Sequence, residues 1–303
     1  DHHLGLFDEF MRKNGDQMDY VLLSRPEVAR DHLAAVRKYS SAKVIYYGHD
    51  LHYLRMQAQH EVTRDADLLK KAAKMRQLEQ SLWQKCDVIY YPSTSETEAV
   101  LTKLPSAKPR TVPLFYFADA APQASLAGRR RDELIFVAGF GHPPNVDAAK
   151  WLATEIFPQV LAEVPSAKLF LVGSNPTEEV RQLGNEVITV TGYASDDEQG
   201  DFYARAGVAV VPLRIGAGVK GKVIEALHYG LPLVSTPVGM QGLAGLDEVV
   251  PISDDACVIA AAIVRVMQDE SRWNDQARAQ QDFAAVRFSQ KALRDVFALD
   301  IDA

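Results

Sequence analysis

Residues 216–234 read GAGVKGKVIEALHYGLPLV, and two phosphate-binding patterns overlap there. Gly216, Gly218 and Gly221 spell G-x-G-x-x-G, the dinucleotide fingerprint, while Gly216, Gly221 and Lys222 spell G-x-x-x-x-G-K, the P-loop. The dinucleotide reading needs an acidic residue at the end of the next strand, about 20 residues on, to take the ribose hydroxyls. That strand, PLVSTP, ends in Thr236 and Pro237. The P-loop reading needs a hydroxyl after the lysine to hold magnesium, and the position is Val223. Both matches therefore read as coincidences. The physics they share survives: a glycine loop between strand and helix turns backbone N–H groups and the positive helix end toward an anion.

Lys220 and Lys222 place mobile positive charge in the same loop and first turn, next to the helix dipole. Together they describe a diphosphate site that requires no metal. Glu225, one turn deeper, is open to two readings. It is either a surface helix acid or the acceptor for a sugar's vicinal hydroxyls, so that one short element grips a nucleotide sugar at both parts.

Outward from this loop, short apolar runs alternate with segments of helical period, the pattern of parallel sheets with crossover helices. The second half supplies strands at LIFVAGF (134–140), KLFLVGS (168–174), VITVTGY (187–193), VAVVPL (208–213), PLVST (232–236) and VVPIS (249–253). The first half supplies DYVLLS (19–24), KVIYYG (43–48), DVIYYPS (87–93) and RTVPL (110–114), with one long amphipathic helix expected over 61–85. Residues 118–132, ADAAPQASLAGRRRD, read as an interdomain linker in which Arg129, Arg130 and Arg131 are a solvated charge run. Two doubly wound α/β domains follow: 1–125, short and partial; 126–285; and a C-terminal helix over 286–303 that packs back on the first domain. In such sheets the ligand lies at the carboxyl ends of the strands.

The 303 residues carry 33 basic and 40 acidic side chains, a net charge of −7, which speaks against nucleic acid or an anionic membrane surface as partner. Cys86 and Cys257 form neither a disulfide framework nor a CxxC motif, which fits a reducing cytoplasm. The most apolar run, ACVIAAAIV (256–264), is under half the roughly 20 residues of a membrane span, and Asp254-Asp255 before it read as a helix cap. The start, DHHLGLFDEFMRKNGD, has no signal-peptide organisation and reads as the cut end of a longer chain.

Other chemistry-bearing residues are weaker candidates. His49, Asp50 and His52 form an HDLH turn after a strand, with His60 the nearest further ligand type; a zinc site needs more. His49 either lies at a cleft rim, touching donor phosphate or acceptor, or belongs to a structural His-Asp pair. His142, beside Pro143-Pro144, either touches a diphosphate or shapes its loop. Ser93 and Ser95 lack a nucleophile elbow. The tyrosines of the two VIYY runs (44–47 as VIYY, and 88–91) read as sheet core and rim.

The run PLRIGAGVKGKVIEALHYGLPLVSTPVGMQGL, preceded by FVAGFGHPPNVDAAKWL, KLFLVGSNP and VTGYASDDEQGDFYARAGVAVVPL, resembles the donor-binding domain of GT-B retaining glycosyltransferases of the family 4 type, over residues 134–251. KVIYYGHDLHYLR and KCDVIYYPSTSETEAVL are similar, more loosely, to the last strands of that fold's acceptor domain. The resemblance implies a GT-B-like fold, two Rossmann-like doubly wound domains facing a cleft, the first truncated because nothing before Asp19 supplies its opening strands. It implies a turn at Gly139–Gly141 facing the cleft, with Gly141 and Asn145 donor-binding. Tyr193 and Ala194 meet the nucleotide base, Gly216, Ala217, Gly218, Val219 and Lys220 meet sugar and phosphates, Lys222 approaches the diphosphate and Glu225 binds the ribose. Ala217 stands where the family often has the first Glu of a Glu-x7-Glu pair, so the donor sugar is not readable there.

The leading expectation is thus a metal-independent, cofactor-free sugar transferase. It moves a sugar with retention from a nucleotide-diphosphate donor to a glycan or lipid-linked acceptor, in bacterial surface polysaccharide or glycoconjugate synthesis. Lys222, Glu225 and His49 are its catalytic candidates. The expected setting is the cytoplasm, at or near the inner membrane face, within a longer chain or complex. The alternatives are a non-catalytic donor-binding module of a larger protein and, further off, a nucleotide-sugar epimerase.

Overall fold

The computed structural model describes residues 4–118 and 123–301; residues 119–122 of the expected linker lie outside the described residues. The chain forms two units, Asp1–Leu114 with Ala217–Val219 and Lys291–Ala303, and Phe115–Gly216 with Lys220–Gln290. The first division falls at Leu114, ahead of the expected boundary at 125.

In the first unit, α1 (Leu4–Asn14) precedes β1 (Tyr20–Ser24), α2 (Pro26–Tyr39), β2 (Lys43–Tyr47), α3 (His52–Thr63), α4 (Ala66–Lys85), β3 (Val88–Tyr91), α5 (Thr94–Lys103) and β4 (Pro109–Thr111). The strands form one parallel sheet in the order β1-β2-β3-β4. Alternation along β2 and β3 explains how both faces are filled. Val44, Tyr46, Ile89 and Tyr91 pack with Leu33, Val36, Leu82 and Trp83, whereas Ile45, Val88 and Tyr90 pack with Val296, Phe297 and Ile301. The buried Trp83 Nε1 donates to Tyr91 Oη at 3.1 Å, so the indole is satisfied. At the C-terminal segment, Asp300 accepts from Arg110 Nε at 3.2 Å, and Lys43 Nζ donates to the Asp300 carbonyl at 2.6 Å.

The expected single helix over 61–85 is instead the end of α3 and the whole of α4. Arg64 adopts a left-handed conformation (φ 58°), and Asp65 caps α4 by accepting from Asp67 N at 2.9 Å. An aspartate that bonds backbone two residues ahead competes with helix continuation, which is why periodicity alone ran through the break.

In the second unit, β5 (Arg130–Val137), α6 (Pro143–Trp151), a π-helical stretch (Leu152–Ile156), α7 (Phe157–Glu163), β6 (Lys168–Val172), α8 (Glu178–Arg181), β7 (Ile188–Gly192), α9 (Asp196–Arg205) and β8 (Ala206–Val211) are followed by α10 (Gly221–His228), β9 (Leu233–Ser235), α11 (Ala256–Gln268) and α12 (Glu270–Arg287). A last helix, Gln290–Phe297, ends the regular structure. All five strands are parallel, in the order β7-β6-β5-β8-β9. The order reverses between β5 and β8, and their carboxyl-end loops form the switch point where such sheets bind ligands. Every residue of β8 is buried, as expected of an apolar run covered on both faces.

The expected strand VVPIS makes only one bridge, Ser235 to Ile252. It meets the outer edge of β9 only at Ser235, whose N donates to Pro251 O and whose carbonyl accepts from Ser253 N, both at 3.1 Å; at Leu233 the same edge is taken by α12. Gln280 Oε1 accepts from Leu233 N at 3.0 Å, and Gln276 Nε2 donates to Leu233 O at 2.8 Å. Gln280 Nε2 donates to Leu231 O at 2.8 Å. Two buried glutamines thus complete the part of the sheet edge that residues 249–253 leave unpaired, a pairing that the polar face of a helix does not announce.

The arginine run is also not a solvated linker. Arg130 and Arg131 begin β5, and Arg129 is half-buried, its guanidinium donating to the carbonyls of Tyr203 (2.7 Å), Ala206 (3.1 Å) and Tyr229 (2.6 Å) above the Trp273 ring. Burial pulls its pKa down to about 10. Three carbonyls at helix and strand ends recruit the fork of donors that arginine carries. Among the described residues, no helix is long and apolar enough to cross a membrane.

Candidate functional site

The glycine loop leaves β8 at Val211 and is anchored by the end of β9. Ser235 Oγ donates to Val211 O at 3.0 Å, and the Thr236 hydroxyl donates to Leu213 O while accepting from Gly239 N at 3.0 Å. The strand end that lacks a ribose-binding acid therefore holds the loop's base. Arg214 next clasps Asp147 of α6 through two bonds, 3.0 and 2.5 Å, and lies 5.1 Å above the Trp151 ring. Gly216 (φ 148°) and Gly218 (φ 72°) then turn through backbone conformations that side chains disfavour, so glycine is needed at both.

Lys220 is the N-cap of helix α10 and makes no side-chain cap hydrogen bond, while Val223 N donates to the Lys220 carbonyl at 3.0 Å; uncapped helix starts are where anions bind in general. Lys220 Nζ donates to Gln241 Oε1 at 3.3 Å. Lys222 Nζ donates to Asn145 Oδ1 at 2.9 Å and lies 4.9 Å from the Phe136 ring centroid. Asn145 Nδ2 donates in turn to Gly139 O at 2.9 Å, which ties the β5–α6 turn to α10. Burial, then the neighbouring Lys220 charge, pull the Lys222 pKa down to about 7, against a smaller opposing pull from Glu225. An ammonium held near neutrality in its proton balance is one that a bound anion would charge fully.

One turn on, Glu225 Oε2 accepts from Tyr203 Oη at 2.9 Å and Gln199 Nε2 at 3.2 Å. Burial raises the Glu225 pKa, while the Tyr203 hydrogen bond and Lys222 oppose it. The glycine turn ends at Gly141, beside Asn175, and His142 serves as N-cap of α6. Tyr193 and Ala194 stand at the end of β7, separated from β8 in the sheet by β6 and β5; Tyr193 is 79% exposed after Gly192 (φ 75°).

The structure thus joins Gly139, Asn145 and Lys222 in one chain of hydrogen bonds, with Gly216, Lys220 and Glu225 on the same loop and helix. Ala217, Gly218 and Val219 group with the first unit. The residues that sequence reading missed are the supports, Tyr203, Gln199, Gln241 and the Arg214–Asp147 pair. Only the spacing of Gln199 and Tyr203, four apart and so on one face of α9, is visible beforehand.

His49 belongs to the first unit. It has a positive φ of 65°, its Nε2 lies 2.7 Å from Ser24 Oγ, and its ring lies 4.5 Å from that of Tyr47. Burial, then Arg25, lower its pKa. The His-Asp pair of the HDLH turn is formed by His52 instead, 2.8 Å from Asp50 and 3.5 Å from the fully buried Glu79. Burial alone would lower the His52 pKa, but the two carboxylates raise it to about 9. His60 bonds the Asp65 carbonyl at 2.7 Å, and among the described residues no group of three or more His, Cys, Asp or Glu is placed to hold a metal ion. Ser93 caps α5 in a capping box with Glu96, which accounts for its burial.

Comparison with known structures identifies the fold. The chain is similar to TarM at a TM-score of 0.76 with 12% identity, covering 99% of this chain and 58% of that one. It is similar to sucrose-phosphate synthase from Thermosynechococcus elongatus at 0.74 with 17% identity, covering 99% of this chain and 79% of that one. For the pneumococcal O-GlcNAc transferase GtfA, whose crystal structure is in complex with UDP and GlcNAc, the values are 0.72 and 17%, over 96% of this chain and 58% of that one. Two parallel α/β sheets of this kind make the fold that of the GT-B glycosyltransferases.

Residues 131–269 match the family described as Glycosyl transferases group 1. An uncharacterized 44.6 kDa protein in the cps region of Klebsiella pneumoniae is 27% identical over 147 residues, 46% of this chain and 38% of its own length. The chain therefore spans less than two thirds of that relative and of TarM.

Proposed function

We propose that the second unit binds a nucleotide-diphosphate sugar at the β8–α10 loop, for transfer of the sugar with retention to a glycan or lipid-linked acceptor. The observation that carries this reading is the Lys222–Asn145–Gly139 chain of hydrogen bonds beside an uncapped helix start, in a segment that matches the group 1 family. Lys222, Lys220 and the α10 N–H groups stabilise charge that develops on the departing diphosphate, which is where fixed donors accelerate a transfer most. Glu225 takes the ribose, Tyr193 and Ala194 the base, Gly141 and Gly216 to Val219 the phosphates and sugar, and His49 the donor or acceptor. No metal or cofactor takes part in this scheme.

Retention, and a place in bacterial surface polysaccharide or glycoconjugate synthesis at the cytoplasmic membrane face, follow from the family resemblance. The relative in the cps region supports that setting. A thermal-shift series with UDP, ADP and GDP sugars tests the donor assignment. A ligand at 100 times its dissociation constant adds about 2.7 kcal/mol of stability, a readily measured shift. The absence of any shift would remove the reading. Stabilisation without transfer or donor hydrolysis would leave the chain as a donor-binding module, and the anomeric proton signal of any product reports retention.

A further inference from the structure

Helix α9 does more than connect β7 to β8. It starts at Ser195, immediately after Tyr193 and Ala194, and is locked there by a capping box in which Ser195 Oγ accepts from Glu198 N while the Glu198 carboxylate accepts from Ser195 N at 2.8 Å. One turn further along, Gln199 and Tyr203 face α10. Tyr203 is almost wholly buried, and its ring stacks on that of Tyr229 at 5.3 Å with an interplanar angle of 8°, so its hydroxyl has little freedom. That hydroxyl is 2.9 Å from Glu225 Oε2 and 3.3 Å from the Lys222 carbonyl. The Gln199 amide reaches the same carboxylate oxygen at 3.2 Å. A glutamate side chain has three rotatable bonds, and two donors on one oxygen remove that freedom before any ligand arrives.

We propose that Tyr203 and Gln199 are positioning residues that hold Glu225 by Oε2 and leave Oε1 to accept from a ribose hydroxyl, so that α9 sets the discrimination between ribo- and deoxyribonucleotides. This rests on the reading of α10 as the donor-binding element. A ligand lacking the hydroxyl leaves a half-buried carboxylate oxygen without its partner, the situation in which a polar site rejects an analogue most strongly. The carboxylate is faced by Lys222 on its own helix and by Tyr203, Gln199 and Asp196 on α9; Lys222 and Tyr203 favour the ionised form and Asp196 opposes it. Loss of the Tyr203 hydroxyl therefore raises the Glu225 pKa further, and the acid limb of ligand binding moves to higher pH.

Calorimetric affinities for UDP, ADP and GDP, each beside its 2′-deoxy and 3′-deoxy counterpart, test this on the whole chain and on Tyr203→Phe, Gln199→Ala and Glu225→Gln. For the diphosphate that binds, Glu225→Gln should remove the preference for one ribose hydroxyl, and Tyr203→Phe should reduce it about 10-fold, the scale of one hydrogen bond to a charged group. Gln199→Ala should reduce it less and serves where Tyr203→Phe does not fold. A Tyr203→Phe or Gln199→Ala protein that keeps the full preference and an unmoved acid limb overturns the positioning role and leaves the donor site standing. If Glu225→Gln itself keeps the preference, or no diphosphate binds, the donor reading fails and this inference with it.

Discussion

Lys222 Nζ and Asn145 Oδ1 lie 2.9 Å apart, and through Asn145 the ammonium of α10 is tied to the Gly139 carbonyl on the β5–α6 turn. Two loops at the carboxyl end of the sheet thereby share one donor chain. A half-buried lysine bonded to a neutral amide makes no ion pair among the described residues, and the proposed diphosphate would supply one.

Lys222→Ala removes charge-assisted hydrogen bonds of about 1.5 to 3 kcal/mol, so donor binding or use should fall roughly 10- to 150-fold. Asn145→Ala should weaken the donor less, because the ammonium stays. Titration of the diphosphate in a calorimeter measures both, and a Lys222→Ala protein with wild-type affinity contradicts the assignment.

The Lys222 pKa near 7 makes binding pH-dependent. An anion favours the charged form, so between pH 7 and 10 the complex takes up a proton and affinity declines as pH rises. At pH 8, binding enthalpies in Tris and in HEPES should differ by the heat of that proton, and equal enthalpies would show that no proton moves. In the free protein the same group acts the other way: the unfolded chain binds more protons across this window, so the contribution of Lys222 to stability rises with pH.

His52 gives an opposite slope in the first unit. Its folded pKa of about 9 lies above the unfolded value of 6.5, so its stabilisation is complete below pH 6.5 and is lost as pH rises through 9. The full effect is up to about 3 kcal/mol at 1.36 kcal/mol per pKa unit. Urea unfolding at pH 6 and pH 9.5 should show a loss in wild type that His52→Gln lacks; parallel losses in both proteins would assign it to other groups.

At the sheet edge, Gln280→Leu leaves Leu233 N and Leu231 O without their partners, each about 1 to 3 kcal/mol when buried. The melting temperature should drop by several degrees, and an unchanged value would show that water replaces the amide.

Arg129→Lys should be nearly as damaging as Arg129→Ala, because an ammonium cannot reach three carbonyls set for a guanidinium fork. Full stability in Arg129→Lys by thermal melting would return the arginine run to the solvated role that its sequence suggests.

Much of the second unit is legible from local pattern. Fully apolar runs such as the one forming β8, glycine-marked turns and the alternation of periods place every strand that pairs as a strand. The misses have one physical character. Asp65 splits a helix through a hydrogen bond to the backbone two residues on, while the Leu233 edge of β9 and the arginine run misread because Gln276, Gln280 and Arg129 bond chain segments 43 to 100 residues away. A polar residue's local surroundings carry no record of a distant partner.

By itself the sequence determined the class of fold, the glycine loop of residues 216–222 and the candidacy of Lys222 and Glu225, because glycine turns and helix starts are local chemistry. Only the tertiary structure decided that Lys222 is bonded to Asn145 and drawn to a pKa near 7, and that Glu225 is held by Tyr203 and Gln199. Burial and hydrogen-bond partnership are properties of packing between elements, and they exist only once β5, β8, α9 and α10 have come together.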